Sequence, residues 1–388
     1  MWRRLTLESR LKILFIAPHL DGGGSERVLI NLLNNIDRDL IESELLVFEK
    51  SGSLMKQLND DIRLVSNKVR RPRYAVFEIS KLIKENRYNV VFVMKLYMFI
   101  IVYLAVKLSG KRIPIVYREV TYVSTEICRN SDGLDIHKLY NNCHVYRFLY
   151  RHMSKIVVPS AEMMKDLCST FRVPKEKTVT IHNPVDMAEI EKSCRDVVEH
   201  PWFSEAIPVI ISAGRLVGQK NFEMLIIAFS MMLDKGYKGR LIILGKGEKR
   251  SELESLIEKL GVCNEVLLMG HERNPFKYIV KSSIFVLPSL WEGFPNVLLE
   301  AMACGTAVIS TDCLSGPKEI IDNHENGLLI ASNNAVQLCD AMIRLLDDEI
   351  LRKRLGEAGR NKVRERYALD KIMPAYEELF YEYMTLRY

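Results

Sequence analysis

Short apolar runs recur along the whole chain, and between them the sequence turns helical. The runs KILFIA (12–17), 43–48, VVFVM (90–94), PIVYR (114–118) and KIVV (155–158) occupy the first half. PVIIS (208–212), RLIIL (240–244), 265–269, IFVL (284–287), AVIS (307–310) and 328–330 occupy the second. Within each run Val, Ile and Leu follow one another without polar alternation, so both faces of the strand must be covered. Helices do the covering. The pattern predicts helices near 25–36, 76–86, 97–109, 139–152 and 161–170, then near 221–235, 248–260, 275–281, 296–304, 317–322 and 335–346, with a last amphipathic one over about 370–384. Strands that alternate with helices in this way form parallel, doubly wound sheets. Here the pattern occurs twice.

The length of 388 residues accommodates two such α/β domains, each with its own core. The predicted division is a first Rossmann-like domain over 1–185, a polar, proline-punctuated linker over 186–207, a second domain over 208–365, and a C-terminal segment, 366–388, whose helix packs back on the first domain. Ligands of such folds bind outside the carboxyl ends of the strands. The expectation is a site in a central cleft that the two domains face.

Composition excludes several classes. With 48% hydrophobic and 27% charged residues the chain is that of an ordinary globular protein. The eight cysteines (128, 143, 168, 194, 263, 304, 313 and 339) form no C-x-x-C pair and keep no fixed spacing to histidine, which argues for reduced thiols in a cytoplasmic protein. The opening MWRRLTLESRLKILFIAP carries no secretory pattern. In VVFVMKLYMFIIVYLAVKLSG, the lysines at 95 and 107 bracket an apolar run far below the ~20 residues a membrane span needs, so a buried strand followed by a buried helix is expected.

Charge is unevenly shared. Residues 1–185 hold 30 Lys and Arg against 19 Asp and Glu; the rest hold 25 against 30. Either the first half carries a solvated basic face, or it approaches an anionic surface or ligand, with Trp2-Arg3-Arg4 and NKVRRPR (67–73) as exposed points. No interleaving of basic and aromatic residues fits a nucleic-acid module, and no nucleic-acid partner is expected.

Four motifs follow predicted strands. Gly22, Gly23 and Gly24 open a helix after KILFIA, a seat for an anion or simply a flexible connector. In SAGRLVGQKNF, Arg215 leaves a strand end and Lys220 precedes a helix; two cations converging there would suit a pyrophosphate, and otherwise they are surface charges. Gly245-Lys246-Gly247 is a further backbone-accessible turn. The stretch WEGFPNVLLEAMACGTAVIS (291–310) then puts Glu292 in a turn and Glu300 inside an apolar helix. A buried carboxylate costs several kcal/mol unless it is paired. The two acids, beside the first N–H groups of that helix, could accept hydrogen bonds from hydroxyls, or Glu300 could pair with a lysine.

At these residues the chain resembles the retaining glycosyltransferases of family 4, which have the GT-B fold. The likeness runs through GGGSERVL, GRLVGQKNFEMLIIAF, LGKGEKRSELESL, LPSLWEGFPNVLLEAMACGTAVISTD, SGPKEII and NGLLI. It is specific in the second half and looser in the first. It implies an acceptor-binding first domain and a nucleotide-sugar-binding second one. It further implies that Arg215 and Lys220 bind the donor diphosphate and stabilise the leaving group, that Glu300 accepts from the ribose, and that Glu292 orients the donor sugar. The implied donor set takes in Gly23, Gly24, Gly245, Lys246, Arg273, Asn274, Gly293, Phe294, Asn296 and Val297. Many family members carry a histidine after the fourth strand. Here YREVTYVS has Arg118 and Glu119, and Glu119 is the candidate to act in its place.

The function so implied is transfer of a hexose or N-acetylhexosamine from a UDP-sugar, with retention, to a polyprenyl-diphosphate-linked or other lipid-linked glycan during cell-surface polysaccharide assembly, at the cytoplasmic face of the membrane. No metal is expected, because Arg215 and Lys220 supply the positive charge; Asp37-Arg38-Asp39 reads as surface. Two other readings stay open: a nucleotide-sugar epimerase of the same architecture, and a non-catalytic scaffold that binds sugar nucleotides.

Overall fold

Two parallel sheets gather nearly all of the apolar runs. The computed structural model describes residues 10–49, 52, 54–65, 74–130, 133–134 and 136–384; Trp2-Arg3-Arg4 and the basic stretch 67–73 lie outside them. The chain divides into two units, one running to Pro184 and resuming at Leu369, the other spanning Val185–Ala368.

In the first unit the order is β1 (Leu11–Ala17), α1 (Gly24–Asn35), β2 (Ile41–Val47), β3 (Arg63–Val65), α2 (Val76–Glu85), β4 (Val90–Met94), α3 (Leu96–Ser109), β5 (Ile115–Arg118), α4 (Val123–Cys128), a small hairpin of β6 (Arg129–Asn130) and β7 (Gly133–Leu134), α5 (Ile136–Arg151), β8 (Lys155–Val158), α6 (Ala161–Ser169) and β9 (Thr178–Thr180). Its sheet runs β3-β2-β1-β4-β5-β8-β9, all parallel, with Ile13 of β1 between Ser43 and Val90. The second unit contains α7 (Met187–Ser193), β10 (Val209–Ala213), α8 (Phe222–Asp234), β11 (Arg240–Leu244), α9 (Arg250–Lys259), β12 (Val266–Gly270), α10 (Phe276–Ile279), β13 (Ile284–Leu287), α11 (Asn296–Ala303), β14 (Ala307–Asp312), α12 (Pro317–Ile320), β15 (Leu328–Ala331), α13 (Ala335–Asp347) and α14 (Glu349–Arg366). Its sheet runs β12-β11-β10-β13-β14-β15, with Ile210 of β10 between Leu241 and Ile284. The last helix, α15 (Leu369–Tyr381), belongs to the first unit.

The central strands are buried on both faces, as their composition requires: every residue of β4, β10 and β13 is buried. Each sheet has an apolar cluster on either side, and the two faces of β1 divide cleanly between them. Leu14 and Ile16 join one cluster; Leu11, Ile13, Phe15 and Ala17 join the other. Both sheets have the same winding order. In each, the strand order reverses once, between β1 and β4 and between β10 and β13. At such a reversal the chain leaves the two neighbouring strands in opposite directions, which opens a crevice at their carboxyl ends.

Three expectations are corrected. The segment 186–207 is not a free linker: Asp186 caps α7, Ile190 is buried, and Trp202 and Phe203 pack against the second unit's apolar cluster. The helix after β4 is not buried on all sides, since Tyr97, Ile100, Leu104 and Leu108 are exposed. The 18-residue α14 occupies a stretch in which no helix was expected.

Candidate functional site

In the second unit the crevice lies where β10 and β13 part. Beyond β10 the chain passes Gly214 and exposed Arg215, makes a 3-10 turn over Gly218–Lys220 and enters α8 through Asn221, a left-handed residue at φ 49°. The turn carries Lys220 inward along Gly214, where an added Cβ would stand 3.2 Å from the Lys220 Cε. Beyond β13 the chain continues through Ser289, Leu290 and Trp291 to Glu292. The two loops are stitched together: the Leu290 N–H donates to the Gln219 carbonyl at 2.9 Å, and the Gln219 amide donates to the Trp291 carbonyl at 2.8 Å. This stitching brings Lys220 Nζ to 2.5 Å from Glu292 Oε1, with both side chains nearly buried. Ser289 Oγ donates to the same oxygen at 2.6 Å.

The two predicted cations differ in setting. Lys220 is turned in and neutralised by Glu292, while the Arg215 guanidinium stands in solvent with no acid paired to it among the described residues. Glu292 Oε1 is engaged twice, which leaves Oε2 as the oxygen available to a further donor. Burial and, after it, the Glu292 charge push the neighbouring Cys313 thiol up to about 12.

Other predicted residues frame this pair. Glu292 N–H donates to the Leu314 carbonyl at 3.1 Å, and Ser315 Oγ donates to the Gly293 carbonyl at 2.8 Å, which fixes the turn ahead of α11. Phe294 is buried against Tyr367, with ring centroids 5.8 Å apart, so it anchors the turn. Pro295 precedes the helix, Asn296 and Val297 begin it half-buried, and Glu300 follows one turn on, also half-buried. Gly245 has a more specific reason to be glycine than accessibility to a ligand. At φ 141° its missing side chain would overlap the Gly214 carbonyl oxygen. The Lys246 carbonyl then accepts from the Leu216 N–H at 2.9 Å, so the Gly245–Gly247 turn braces the Arg215 loop and leaves the Lys246 side chain exposed.

Two predicted residues are already engaged by the protein itself. The Asn274 amide donates to the Ser193 carbonyl and to Asp196, each at 2.8 Å, and its oxygen accepts from the Phe276 N–H at 3.1 Å. Asn274 thus ties α10 to the end of α7, while Arg273 beside it is exposed. Glu119, the candidate for the histidine's part, is buried with both oxygens engaged. Oε1 accepts from the Val120 N–H at 2.9 Å, and Oε2 from Tyr150 at 2.8 Å and Tyr117 at 3.2 Å. It is an internal strut. Its neighbour Arg118, also buried, donates to Asn183.

The first unit holds a second acid–lysine pair that motif reading missed. Gly23 caps α1 and Gly24 begins it, but the chain's own Glu26 folds back over that helix start; a Cβ on Gly23 would overlap Glu26 Oε2. Lys95, which follows β4 at a positive φ of 72°, reaches Glu26 Oε1 at 2.8 Å. Burial raises the Glu26 pKa, but the hydrogen bond and charge of Lys95, with hydrogen bonds from the Glu26 N–H and Ser25, bring it below the usual carboxylate value. The connections after β1 and β4 thus present an acid, in the first turn of α1, and a lysine where those after β10 and β13 present a lysine and an acid. A Glu three residues past a glycine cap and a Lys ending an apolar strand were the available signals.

Among the described residues no three His, Cys, Asp or Glu side chains gather in a way that could hold a metal ion. Asp37-Arg38-Asp39 forms a turn into β2: the Asp39 N–H donates to Asp37 at 2.9 Å, and Arg38 pairs with Asp61 at 2.8 Å. No helix among them is long and apolar enough to cross a membrane.

Residues 22–189 match the family model Glycosyltransferase Family 4, and residues 201–362 match Glycosyl transferases group 1. The N-acetylgalactosamine-N,N'-diacetylbacillosaminyl-diphospho-undecaprenol 4-alpha-N-acetylgalactosaminyltransferase of Campylobacter jejuni is 32% identical over 280 residues, which is 72% of this chain and 72% of that protein. An uncharacterized glycosyltransferase of Methanocaldococcus jannaschii is 31% identical over 60% of this chain; the match spans 65% of that protein, just under two thirds of its length. Among solved structures, Anabaena HepE in complex with UDP-glucose superposes with a TM-score of 0.81 at 20% identity, covering 96% of this chain and 100% of that one.

Proposed function

We propose a specific activity from one premise: the chain belongs to the glycosyltransferases, with the Family 4 domain in its first half, the group 1 domain in its second, and the GT-B fold. The proposed reaction is transfer of a hexose or N-acetylhexosamine from a UDP-sugar, with retention of configuration, to a lipid-linked glycan at the cytoplasmic face of the membrane. The observation that carries this reading is the Lys220–Glu292 pair at the strand reversal of the second unit.

The pair explains how one crevice holds both ends of a sugar diphosphate. Lys220 has three N–H donors and gives one to Glu292; the others are left for phosphate oxygens, with Arg215 as the outer cation. Glu292 spends Oε1 on Lys220 and Ser289 and offers Oε2 to a sugar hydroxyl. Breaking the bond between sugar and diphosphate places negative charge on the phosphate side. Cations already fixed there need no reorganisation, and that preorganisation is commonly the largest catalytic contribution. With Arg215 and Lys220 in place, the proposed reaction needs no metal. Glu300 is assigned to the ribose hydroxyls. The lipid-linked acceptor is supported by the Campylobacter relative, whose name gives a diphospho-undecaprenol substrate, and UDP by solved relatives that hold it.

The test is a panel of UDP- and GDP-sugars assayed for slow donor hydrolysis, which needs no acceptor, followed by transfer to lipid-linked glycans. Lys220→Met and Glu292→Gln should each lower turnover at least ~100-fold, the scale on which single electrostatic donors act. Near-normal turnover in either variant would overturn the assigned roles. Conversion of a UDP-sugar to its epimer, with no acceptor present, would favour the epimerase reading.

A further inference from the structure

Helix α3 is apolar on both sides. Met98, Phe99, Val102, Ala105 and Val106 are buried in the first unit, while Tyr97, Ile100, Leu104 and Leu108 recur at three- and four-residue spacing on the opposite side and are 39–49% exposed. A helix apolar all round is normally surrounded by protein or by lipid. At 14 residues α3 is about 21 Å long, too short to cross a bilayer. Its outer face continues onto its neighbours. On one side α2 packs along α3 and exposes Tyr74, which precedes it, and Phe77, at 58% and 75%. On the other, exposed Phe148 of α5 stacks edge-on against His152, whose ring lies 4.8 Å from Tyr103 of α3. Monomeric soluble proteins rarely leave so continuous an apolar surface open.

The charges around this face are mostly positive, and among the described residues its only acids, Glu78 and Glu85, lie on α2. No Asp or Glu occurs from Asn86 to Arg118, nor from Ile136 to Ala161. Lys107, Lys111, Arg112 and Arg151 are exposed at its rim, Lys177 is half-buried close by, and on α2 Lys84 accompanies the Lys81–Glu85 pair and exposed Glu78. His152 senses the same field: burial, then Lys107, Lys177 and Arg151, hold its pKa below the ordinary value.

We infer that the outer face of α2, α3 and α5 is a bilayer-docking surface for anionic phospholipid, with Phe77, Ile100, Leu104, Leu108 and Phe148 entering the headgroup–acyl boundary and the rim cations at the phosphates. The inference rests on the membrane reading above and deepens it: the contact is an apolar face of defined composition, not diffuse positive charge. Apolar side chains sunk into the interface plus cations on anionic headgroups is how a non-spanning helix holds a membrane.

The experiment is co-flotation of the full chain with phosphatidylglycerol–phosphatidylcholine vesicles and with pure phosphatidylcholine, for the wild type and for Leu104→Ser/Leu108→Ser/Phe148→Ser. The expected result is binding to the anionic vesicles that falls at least tenfold in the variant, with an unchanged unfolding temperature. Should the wild type bind and the variant bind equally, the α3 face is not the contact, although the membrane reading stands. If the wild type ignores every vesicle, both fall. A wild type that is dimeric in the absence of lipid, with a monomeric variant, would identify the face as an interface between copies and overturn the inference. As a check independent of the variant's folding, an environment-sensitive label on Leu104→Cys should shift to the blue with anionic vesicles, while one on Ile350→Cys, 83% exposed in the second unit, should not.

Discussion

A lysine and a glutamate with 11% and 7% of their side-chain surface exposed hold each other in the second unit, and that arrangement binds stability to function. Removing one partner of a buried pair leaves a charge uncompensated and costs about 3–5 kcal/mol, whereas replacing both with apolar groups is often neutral. Glu292→Gln should therefore lower the second unit's melting midpoint by roughly 10 °C, given ~2–4 °C per kcal/mol for a domain of this size. The double variant Lys220→Met/Glu292→Leu should recover most of that loss and remain inactive. Calorimetry beside donor hydrolysis tests this, and a double variant less stable than either single one would refute it. Exposed Arg215 differs: Arg215→Ala should leave stability within ~0.5 kcal/mol while weakening donor binding. In the first unit, acid is the probe. Burial raises the Glu44 pKa, but hydrogen bonds from Lys12 and Tyr88 and the charges of Lys12 and Arg63 bring it below 4.5, and Glu26 is lowered likewise by Lys95. A carboxylate depressed in the folded state contributes stability that is complete above its unfolded value and disappears as pH falls through the folded one. The first unit's midpoint should thus be flat above about pH 5 and decline below 4.5. Glu44→Gln should shallow that decline; a midpoint unchanged down to pH 3 would contradict the assignment.

At the scale of elements, legibility in the sequence followed burial. The predicted strands 90–94, 155–158, 240–244 and 284–287 coincide with β4, β8, β11 and β13, because an uninterrupted run of Val, Ile, Leu and Phe has few other uses. Besides the two-residue strands β6 and β7, the strands that were missed, β3 and β9, are three-residue edges, RLV and TVT; with no second neighbour an edge strand needs no apolar run. Helix α14 was hidden by its glycines. Over 349–366 only Leu351, Leu355 and Val363 are buried apolar residues, and Gly356 and Gly359 read as breakers, yet the glycines are what seat the helix. A Cβ on Gly356 would overlap the Gly305 carbonyl oxygen, which is backbone and cannot turn aside. Gly356→Ala should accordingly lose several kcal/mol despite alanine's better helix propensity, about 1 kcal/mol in its favour. Gly359→Ala, with its nearest atom 3.2 Å away, should lose far less. Chemical denaturation of the two variants compares them directly, and equal stability would show that the helix can shift to accommodate the methyl. The site divided along the same line. Lys220 and Glu292 stood out as polar residues where strand ends and turns required none, but their pairing across 72 residues was not legible, and neither was the engagement of Glu119 and Asn274 by Tyr150 and Ser193, 31 and 81 residues away.

Over the whole molecule the chain closes on itself: its last helix completes the core of the unit that its first strand begins. Ile372, Met373, Tyr376, Leu379 and Phe380 of α15 are buried in the cluster that holds Phe15 and Phe92. Phe380 stands edge-on to both rings at 6.0 and 5.8 Å, and Tyr376 meets Phe92 at 6.4 Å. At ~1.5–3 kcal/mol for each large apolar side chain, these five contribute roughly 10 kcal/mol, as much as the whole net stability of an ordinary domain at ~5–15 kcal/mol. The second unit ends at Ala368 and has its own two apolar clusters, neither of which includes a residue of α15. The consequence is asymmetric. Ending the chain after Ala368 should unfold the first unit, although its entire sheet lies some 190 residues upstream of the cut, and leave the second folded. Hydrogen exchange read by mass spectrometry distinguishes the two: protection should be lost across β1, β4 and β5 and retained across β10, β11 and β13. Phe380→Ala in the full chain should give a graded version, a loss of about 3–5 kcal/mol confined to the first unit. If the truncated chain kept β1 and β4 protected, the helix would be an attachment to a complete domain and not the part that closes its core.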